Sequence, residues 1–141
     1  MGTFSAKVDT VSPALSLDII ATSGSNGWYV SPATITAIGS DSTSGLSSVF
    51  LSVDNGAGIS STTLNEGMYR IVVQAEDNAG NIANSTTTIS VDTTTPTIDV
   101  SVNGTLGSNG WYSSSMEVIT SATDETSGVA SLESSFDGGI Y

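Results

Sequence analysis

Apolar and polar residues alternate along several short stretches of the chain, and this period of two predicts β-strands. The alternating stretches lie at residues 33–39, 49–53 and 69–75, and a run rich in β-branched residues follows at 82–91. Segments rich in Asp, Asn, Gly and Ser, which favour turns, separate these runs at residues 41–45, 54–58 and 77–81. Short strands joined by such turns, without helical periodicity, predict an all-β antiparallel sandwich.

The chain repeats itself at a spacing of 83 residues, the distance from Trp28 to Trp111. Residues 24–29 (Gly-Ser-Asn-Gly-Trp-Tyr) are identical to residues 107–112, and no gap is needed over the whole overlap. Identity over six consecutive residues that include a tryptophan indicates duplication. The phase of the repeat predicts three parts, which are the end of one repeat (1–8), a complete repeat (9–91) and the first part of the next (92–141). We therefore expect a piece of a longer array.

A local signature stands immediately before one of the alternating stretches, at residues 64–69 (Leu-Asn-Glu-Gly-Met-Tyr). In a tyrosine corner, a tyrosine near the start of a sandwich strand turns its hydroxyl back to upstream backbone. Because Gly67 lies two residues before Tyr69, we interpret this segment as a tyrosine corner rather than as an ordinary core tyrosine.

Four short motifs accompany the predicted turns and strands. They are Asn-Gly-Trp-Tyr, Ser-Asp-x-x-Ser-Gly, Gly-x-Tyr with the later Ala-Glu-Asp-Asn-Ala-Gly-Asn, and Val-Asp-Thr-Thr-Thr-Pro. Together they resemble the tandem bacterial immunoglobulin-like repeats of large cell-surface and secreted proteins, over almost all of residues 8–141. The resemblance implies a seven-stranded, immunoglobulin-like antiparallel β-sandwich, here as one complete repeat and one truncated repeat whose residues supply strands A to C. Since this fold carries many functions, the resemblance alone assigns none.

Charge and composition exclude several classes of function. Fourteen acidic residues face only two basic ones, Lys7 and Arg70, so the formal net charge is −12. Such a polyanion cannot neutralise phosphates, and we expect no nucleic-acid partner and no attraction to an anionic membrane. The chain has no His and no Cys, which removes the usual general base, thiol nucleophile and soft-metal ligands. No apolar stretch is long enough for membrane insertion.

The aromatic pairs Trp28-Tyr29 and Trp111-Tyr112 allow two interpretations. Exposed aromatic faces suit the rings of sugars, so the pairs are candidates for a glycan-stacking platform. Large aromatic side chains also cover the end of a sandwich core. Because the pair recurs at the same place in both copies, and follows an Asn-Gly turn, we favour packing.

Carboxylates at turns are the remaining candidates for chemistry. Those concerned are Asp41, Asp54, Asp77, Asp92, Asp124 and Asp137. Asp accepts hydrogen bonds from nearby backbone N–H groups at turns, and this explains each residue without catalysis. A glycosidase would need two carboxyl groups converging in a cleft, which a small repeated sandwich does not offer. We therefore predict no catalytic residues and no enzymatic activity.

Calcium is the rival hypothesis for these carboxylates, because it takes six to eight oxygen ligands. In a sandwich of the expected topology, Asp9, Asp41 and Asp77 are neighbours at one end of the complete repeat. The corresponding set at the next repeat is Asp92, Asp124 and Glu125, beside Glu66. No dense Asp-x-Asp loop of the EF-hand type occurs, so no cofactor is required, and calcium at the repeat junction is an alternative.

The favoured function is a structural spacer or stalk repeat of an extracellular, cell-surface or secreted protein such as an adhesin, with neighbouring repeats as its partners. One alternative is a self-assembling fibre subunit, in which the incomplete repeat at residues 92–141 exchanges strands with another chain. The other alternative is a module that binds glycans or a host surface through Trp28 or Trp111.

Overall fold

The computed structural model describes residues 5–135, which divide into two compact units. The first unit spans Met1–Thr93 and the second spans Thr94–Tyr141. Residues 5–135 contain β-strands joined by turns and loops, with no α-helix. No helix in this part of the chain has the length and hydropathy needed to cross a membrane. The all-β fold predicted from the sequence is therefore confirmed.

Within residues 5–93, unit 1 contains seven strands. They are β1 (Ala14–Ile20), β2 (Trp28–Tyr29), β3 (Ala33–Ser40), β4 (Leu46–Val53), β5 (Ser61–Leu64), β6 (Gly67–Asp77) and β7 (Ile82–Val91). One sheet has the order β1-β3-β5, and the other has the order β2-β7-β6-β4. All pairs are antiparallel except β2–β7, which is parallel. This arrangement is an immunoglobulin-like sandwich of two sheets.

The core of unit 1 lies between the two sheets and follows from the alternation of each strand. Its fully buried side chains include Ile35 on β3, Leu51 on β4 and Ile71 on β6. The inward residues of β1, which are Leu15, Leu17 and Ile19, pack against this cluster. Successive side chains of a strand point to opposite faces, so every second residue of these strands reaches the core.

The tyrosine corner is present at the entry to β6. The hydroxyl of Tyr69 donates a hydrogen bond to the backbone oxygen of Glu66 at 3.0 Å. Gly67 lies between them at a φ of 135°, a conformation that disfavours any side chain. A Cβ atom at Gly67 would lie 3.4 Å from the Tyr69 hydroxyl. The requirement for glycine therefore comes from its backbone conformation, since a Cβ at that distance would make only an ordinary contact.

Unit 2 contains two paired strands, β8 (Thr97–Asn103) and β9 (Glu117–Thr123), which correspond in the repeat to β1 and β3. The third predicted strand of this unit does not form within residues 124–135. Its counterpart in unit 1, β4, pairs with β6, and the described residues of unit 2 contain no counterpart of β6. Asp137 lies outside the described residues.

The segment before β1 forms no strand over residues 5–13. The sequence phase assigns residues 1–8 to the last strand of a preceding repeat, and residues 5–8 form no strand. Residues 1–4 lie outside the described part of the chain. The division of the chain after Thr93 falls two residues beyond the repeat boundary predicted at residue 91.

Candidate functional site

Three carboxylates meet at one end of unit 1. Asp9 precedes β1, Asp41 follows β3, and Asp77 ends β6, so they come from three separate parts of the chain. One carboxylate oxygen from each lies within 4.8 Å of the others. The sequence had predicted that these three residues are neighbours, and the structure places them together. We refer to Asp9, Asp41 and Asp77 as the aspartate cluster.

Asp41 holds the loop between β3 and β4. Its Oδ1 atom accepts hydrogen bonds from the N–H groups of Thr43, Ser44 and Gly45 at 3.0, 2.9 and 2.8 Å. Gly45 has a φ of 83°, which a residue without a side chain adopts at little cost. The sequence prediction that Asp41 caps a turn is therefore confirmed, and its geometry shows three donors converging on one oxygen.

Unit 2 repeats this loop. Asp124 Oδ1 accepts hydrogen bonds from the N–H groups of Thr126, Ser127 and Gly128 at 3.1, 2.9 and 2.9 Å. Gly128 has a φ of 78°, close to that of Gly45. The same five-residue loop, identical at four of its positions, thus folds in the same way in both units, because its hydrogen bonds are local.

Asp77 is the buried member of the aspartate cluster, with 1% of its surface exposed. The N–H groups of Ala79 and Asn81 donate to its Oδ1 at 2.8 and 2.9 Å, and the side-chain amide of Asn81 donates to its Oδ2 at 2.8 Å. Burial acts to raise the pKa of Asp77, but the hydrogen bonds from Asn81 and Ala79 outweigh it and leave the pKa below the ordinary value of 3.8. Asp77 therefore shapes the turn between β6 and β7 as a carboxylate.

Asp9 fastens the segment before β1 to both neighbouring loops. Its Oδ2 accepts a hydrogen bond from the N–H of Ser44 at 2.9 Å, and its Oδ1 accepts one from Val11 at 3.0 Å. Its backbone oxygen accepts a bond from the Asn81 side chain at 3.3 Å. Hydrogen bonds from Ser44 and Val11 lower the pKa of Asp9 below 3.8. The cluster thus joins the incoming chain to the β3–β4 and β6–β7 turns.

The chemistry open to this cluster is limited by the hydrogen bonds it already makes. Every buried side-chain nitrogen and oxygen within residues 5–135 has a hydrogen-bond partner, so no buried polar atom demands a ligand. Three carboxylates at this separation also offer the oxygen ligands that calcium prefers. Calcium binding at the aspartate cluster therefore stays a prediction. An unfolding temperature that does not change in excess chelator would exclude it, because a ligand that binds only the folded state must raise stability.

At the opposite end of unit 1, Glu66 and Asp92 lie near the last residue of the unit. Glu66 Oε2 accepts hydrogen bonds from the N–H and the hydroxyl of Thr93 at 2.9 and 2.8 Å. Asp92 is buried, and its N–H donates to the backbone oxygen of Tyr29 at 2.8 Å. Glu66 therefore contacts Thr93, the residue after Asp92. The predicted grouping of Asp92 with Asp124 and Glu125 stays a prediction.

The two aromatic pairs differ in their surroundings. Trp28 and Tyr29 form β2, which lies beside Ser90 and Val91 of β7, and Tyr29 packs against the core of unit 1. In unit 2, Trp111 is 78% exposed and Tyr112 is 39% exposed. The packing interpretation holds for Tyr29 in unit 1, whereas Trp111 presents its ring to solvent.

Sequence reasoning missed β1 and β5 and did not recognise β2 as a strand. The signal for β1 was available, because Leu15, Leu17 and Ile19 alternate with polar or exposed positions. β5 has four residues and a single buried side chain, Leu64, which is too short a pattern to detect. β2 has two residues and is defined by its pairing with β7, which lies about sixty residues later in the chain. Local periodicity does not report such a pairing.

The fold and these turns define a class of small, all-β modules in which polar side chains shape loops around a two-sheet core. A model of the bacterial Ig-like domain family matches residues 34–93, from the start of β3 to the end of unit 1. The resemblance to bacterial Ig-like domains drawn from the sequence motifs is therefore confirmed over these residues. No curated protein matches the chain, and no solved structure does so.

Proposed function

We propose that the chain is a structural spacer of an extracellular bacterial protein, in which Ig-like repeats hold other modules at a distance. Bacterial Ig-like domains are structural modules that commonly occur in extracellular and surface proteins, and the family is typically non-catalytic. The observation that carries the proposal is that the aspartate cluster holds loops of unit 1 together. Its carboxylates accept hydrogen bonds from the backbone of the loops that they join, as members of a structural framework do.

Both ends of unit 1 are held by side-chain hydrogen bonds. Asp9 binds the incoming segment to Ser44, and Glu66 binds the outgoing Thr93 through two bonds. A repeat whose entry and exit are both fixed to its own body transmits orientation along a chain better than one with loose ends. This property is expected of an element whose task is to set distance.

The charge of the chain supports the same proposal. A net charge of −12 on 141 residues makes neighbouring copies repel one another at low ionic strength. The Debye length is about 8 Å at physiological salt, so the repulsion acts at short range and opposes collapse of the array.

Single-molecule force spectroscopy tests the proposal, with the intact chain pulled from its two ends. Unit 1 should resist and then open in one step. The roughly 80 residues between Ala14 and Asp92 should add about 280 Å of contour length, at about 3.6 Å per residue. Gradual extension without a force peak would refute a load-bearing role for this repeat.

A second candidate function is glycan binding, favoured by the exposed ring of Trp111. A glycan array separates it from the spacer function. Saturable retention of the intact chain that the Trp111→Ala variant loses, and the Trp28→Ala variant keeps, would establish glycan binding. Equal and negligible retention of all three proteins is the outcome expected for a spacer.

A third candidate is self-association through unit 2. Ile98, Val100 and Val102 of β8 are exposed, although their counterparts on β1 pack against the core of unit 1. Sedimentation of the intact chain and of the Val100→Asp variant tests this candidate. A concentration-dependent dimer that the substitution abolishes would support it, and an unchanged sedimentation coefficient would exclude it.

A further inference from the structure

The edge strands of unit 1 differ in how well they are protected against pairing with another chain. β1 carries Asp18 and follows Pro13, β5 is only four residues long, and β4 has an irregular register between Leu46 and Ser48. Charges, proline, bulges and short length are the features by which natural proteins block sheet edges. Each of these three strands therefore has at least one such feature.

β7 has none of these features. β2 pairs only with Ser90 and Val91, so β7 has no strand partner on that side from Ile82 to Ile89 among residues 5–135. The ten residues of β7 include no charged residue and no proline, and their register with β6 is regular throughout. This stretch is an open and uncharged edge eight residues long, with an uninterrupted register to β6.

The direction of the free backbone groups follows from the contact with β2. The N–H of Asp92 donates to the oxygen of Tyr29, so Asp92 faces β2 and not β6. Because backbone groups alternate in direction along a strand, every second residue before Asp92 faces the same side. On the open part of the edge these residues are Ile82, Asn84, Thr86 and Thr88.

We propose that this edge is an interface at which two copies of the chain pair, β7 against β7, in antiparallel orientation. The four outward residues are symmetric about Ser85. In this register Asn84 lies opposite Thr86 of the partner subunit, and Ile82 lies opposite Thr88 of the partner subunit. Each outward N–H then donates a hydrogen bond to a carbonyl of the other copy, and the two Ser85 residues face each other across the two-fold axis.

A second copy fits this edge for two reasons. The edge is complementary to itself, as a two-fold interface requires, and no like charges meet across it although each chain carries a net charge of −12. The pairing also continues an existing one, because β2 already occupies the end of β7 at Ser90 and Val91. The residues proposed to pair, 82–88, precede Ser90, so the two pairings use different backbone groups of β7.

Cysteine cross-linking tests the register. The chain has no Cys, so any disulfide in a single-cysteine variant must join two copies. Residues opposite each other at a non-hydrogen-bonded position of an antiparallel pair have Cα atoms about 4.5 Å apart, which a disulfide can span. The control is Ser16→Cys, at an exposed serine of the edge strand β1.

Under mild oxidation the Ser85→Cys variant should form a disulfide-linked dimer at least about ten times faster than Ser16→Cys, since pairing raises the effective concentration of the two thiols. Raising the salt from about 10 mM to about 150 mM should increase this rate, because the Debye length falls from about 30 Å to about 8 Å and the repulsion is screened. Equal rates for the two variants at both salt concentrations would overturn the proposal.

Two further changes separate pairing from mere thiol exposure. Thr86→Pro removes an N–H that faces the partner and none that faces β6. Added to Ser85→Cys, it should reduce cross-linking to the rate of Ser16→Cys. Should that protein fail to fold, the Asn84→Lys, Thr86→Lys pair places like charges directly opposite each other. These lysines lower the net negative charge, so slower cross-linking would report the local contact, whereas an undiminished rate would contradict it.

The inference is independent of the spacer function and of any contact through unit 2. The Val100→Asp substitution should leave cross-linking through position 85 unchanged, because Val100 lies on β8 and not on β7. A spacer that stays monomeric would fail the cross-linking test and still pass the pulling test.

Discussion

The two copies of the Gly-Ser-Asn-Gly-Trp-Tyr segment, one in each unit, have the same turn and different surroundings. In both copies the tryptophan N–H donates to the serine oxygen three residues earlier, at 3.0 Å in unit 1 and 3.2 Å in unit 2. Asn26 and Asn109 have φ angles of 52° and 54°. Consecutive positive φ values at Asn and Gly are typical of a type I′ hairpin turn. The turn is therefore determined by the segment itself.

Burial of the same segment depends on the rest of the unit. Tyr29 packs against the core beside β7, whereas Trp111 and Tyr112 have no neighbouring strand of that kind among the described residues. The β1 and β8 strands show the same contrast, because the inward face of β1 is covered by the second sheet. Comparing the units thus separates what a segment of about ten residues determines from what the complete sandwich adds.

The largest effect should come from a cavity in the core of unit 1. Ile35 is fully buried on β3, and its repeat counterpart on β9 is Val118. Ile35→Ala should lower the free energy of unfolding by about 2–5 kcal/mol. Val118→Ala should leave the unfolding of unit 1 unchanged.

Urea unfolding followed by tryptophan fluorescence measures both changes. In a Trp111→Phe background, Trp28 is the only tryptophan and reports on unit 1. If both substitutions shifted the urea midpoint of unit 1 by a similar amount, the stability of unit 1 would not depend specifically on its own buried core.

The next effect concerns the loop that both units share. Asp41→Ala leaves the N–H groups of Thr43 and Gly45 without their acceptor, and we expect unit 1 to lose about 1–3 kcal/mol of stability. Asp124→Ala removes the same bonds from unit 2 and should not change the unfolding of unit 1. Asp41→Asn keeps an acceptor oxygen, so its effect should be smaller than that of Asp41→Ala. Urea unfolding in the same Trp111→Phe background measures all three.

Local signals in the sequence account for the parts of the fold that were predicted correctly. Asp41, Asp77 and Tyr69 each act within a few residues of their own position, and each was identified from a short motif. The meeting of Asp9, Asp41 and Asp77 was predicted because sandwich topology brings those loops to one end. The sequence therefore predicted that the three carboxylates lie close together, but not which carboxylate oxygen accepts which N–H.

The elements that were missed depend on residues distant in the chain. β2 exists because Trp28 and Tyr29 lie beside Ser90 and Val91, and no local pattern reports such a pairing. No strand forms within residues 124–135, where part of the third strand of unit 2 was expected, and the counterpart of that strand in unit 1, β4, is paired with β6. Strand propensity alone did not form the expected strand, as the context dependence of β propensity implies.

Tyr69→Phe tests the tyrosine corner, a smaller contribution. The substitution removes the hydroxyl that donates to Glu66 and keeps the ring, so unit 1 should lose about 0.5–1.5 kcal/mol. Tyr112→Phe removes a hydroxyl from unit 2, at the repeat counterpart of Tyr29, and should leave unit 1 unaffected. Thermal unfolding measures both variants. An effect of Tyr112→Phe as large as that of Tyr69→Phe would show that the corner bond contributes nothing specific.

The smallest effect expected is a dependence of unit 1 on acid pH. The pKa values of Asp9 and Asp77 lie below 3.8 in the folded protein, so the unfolded state binds protons first as the pH falls. The contribution of these carboxylates to stability is therefore present above about pH 4 and is lost as the pH falls through their lowered pKa values. Protonation also reduces the net charge of −12, and this relief of repulsion acts in the opposite direction.

Because the two effects oppose each other, the comparison of variants is more informative than the slope of the unaltered protein. The Asp9→Asn, Asp77→Asn double variant should lose less stability between pH 5 and pH 2.5 than the unaltered chain, measured by urea unfolding at each pH. A double variant with the same slope would show that the aspartate cluster does not couple the folding of unit 1 to protons. A reduced slope would assign that coupling to the bonds that Ser44 donates to Asp9 and Asn81 donates to Asp77, of which the first joins the incoming segment to the β3–β4 loop.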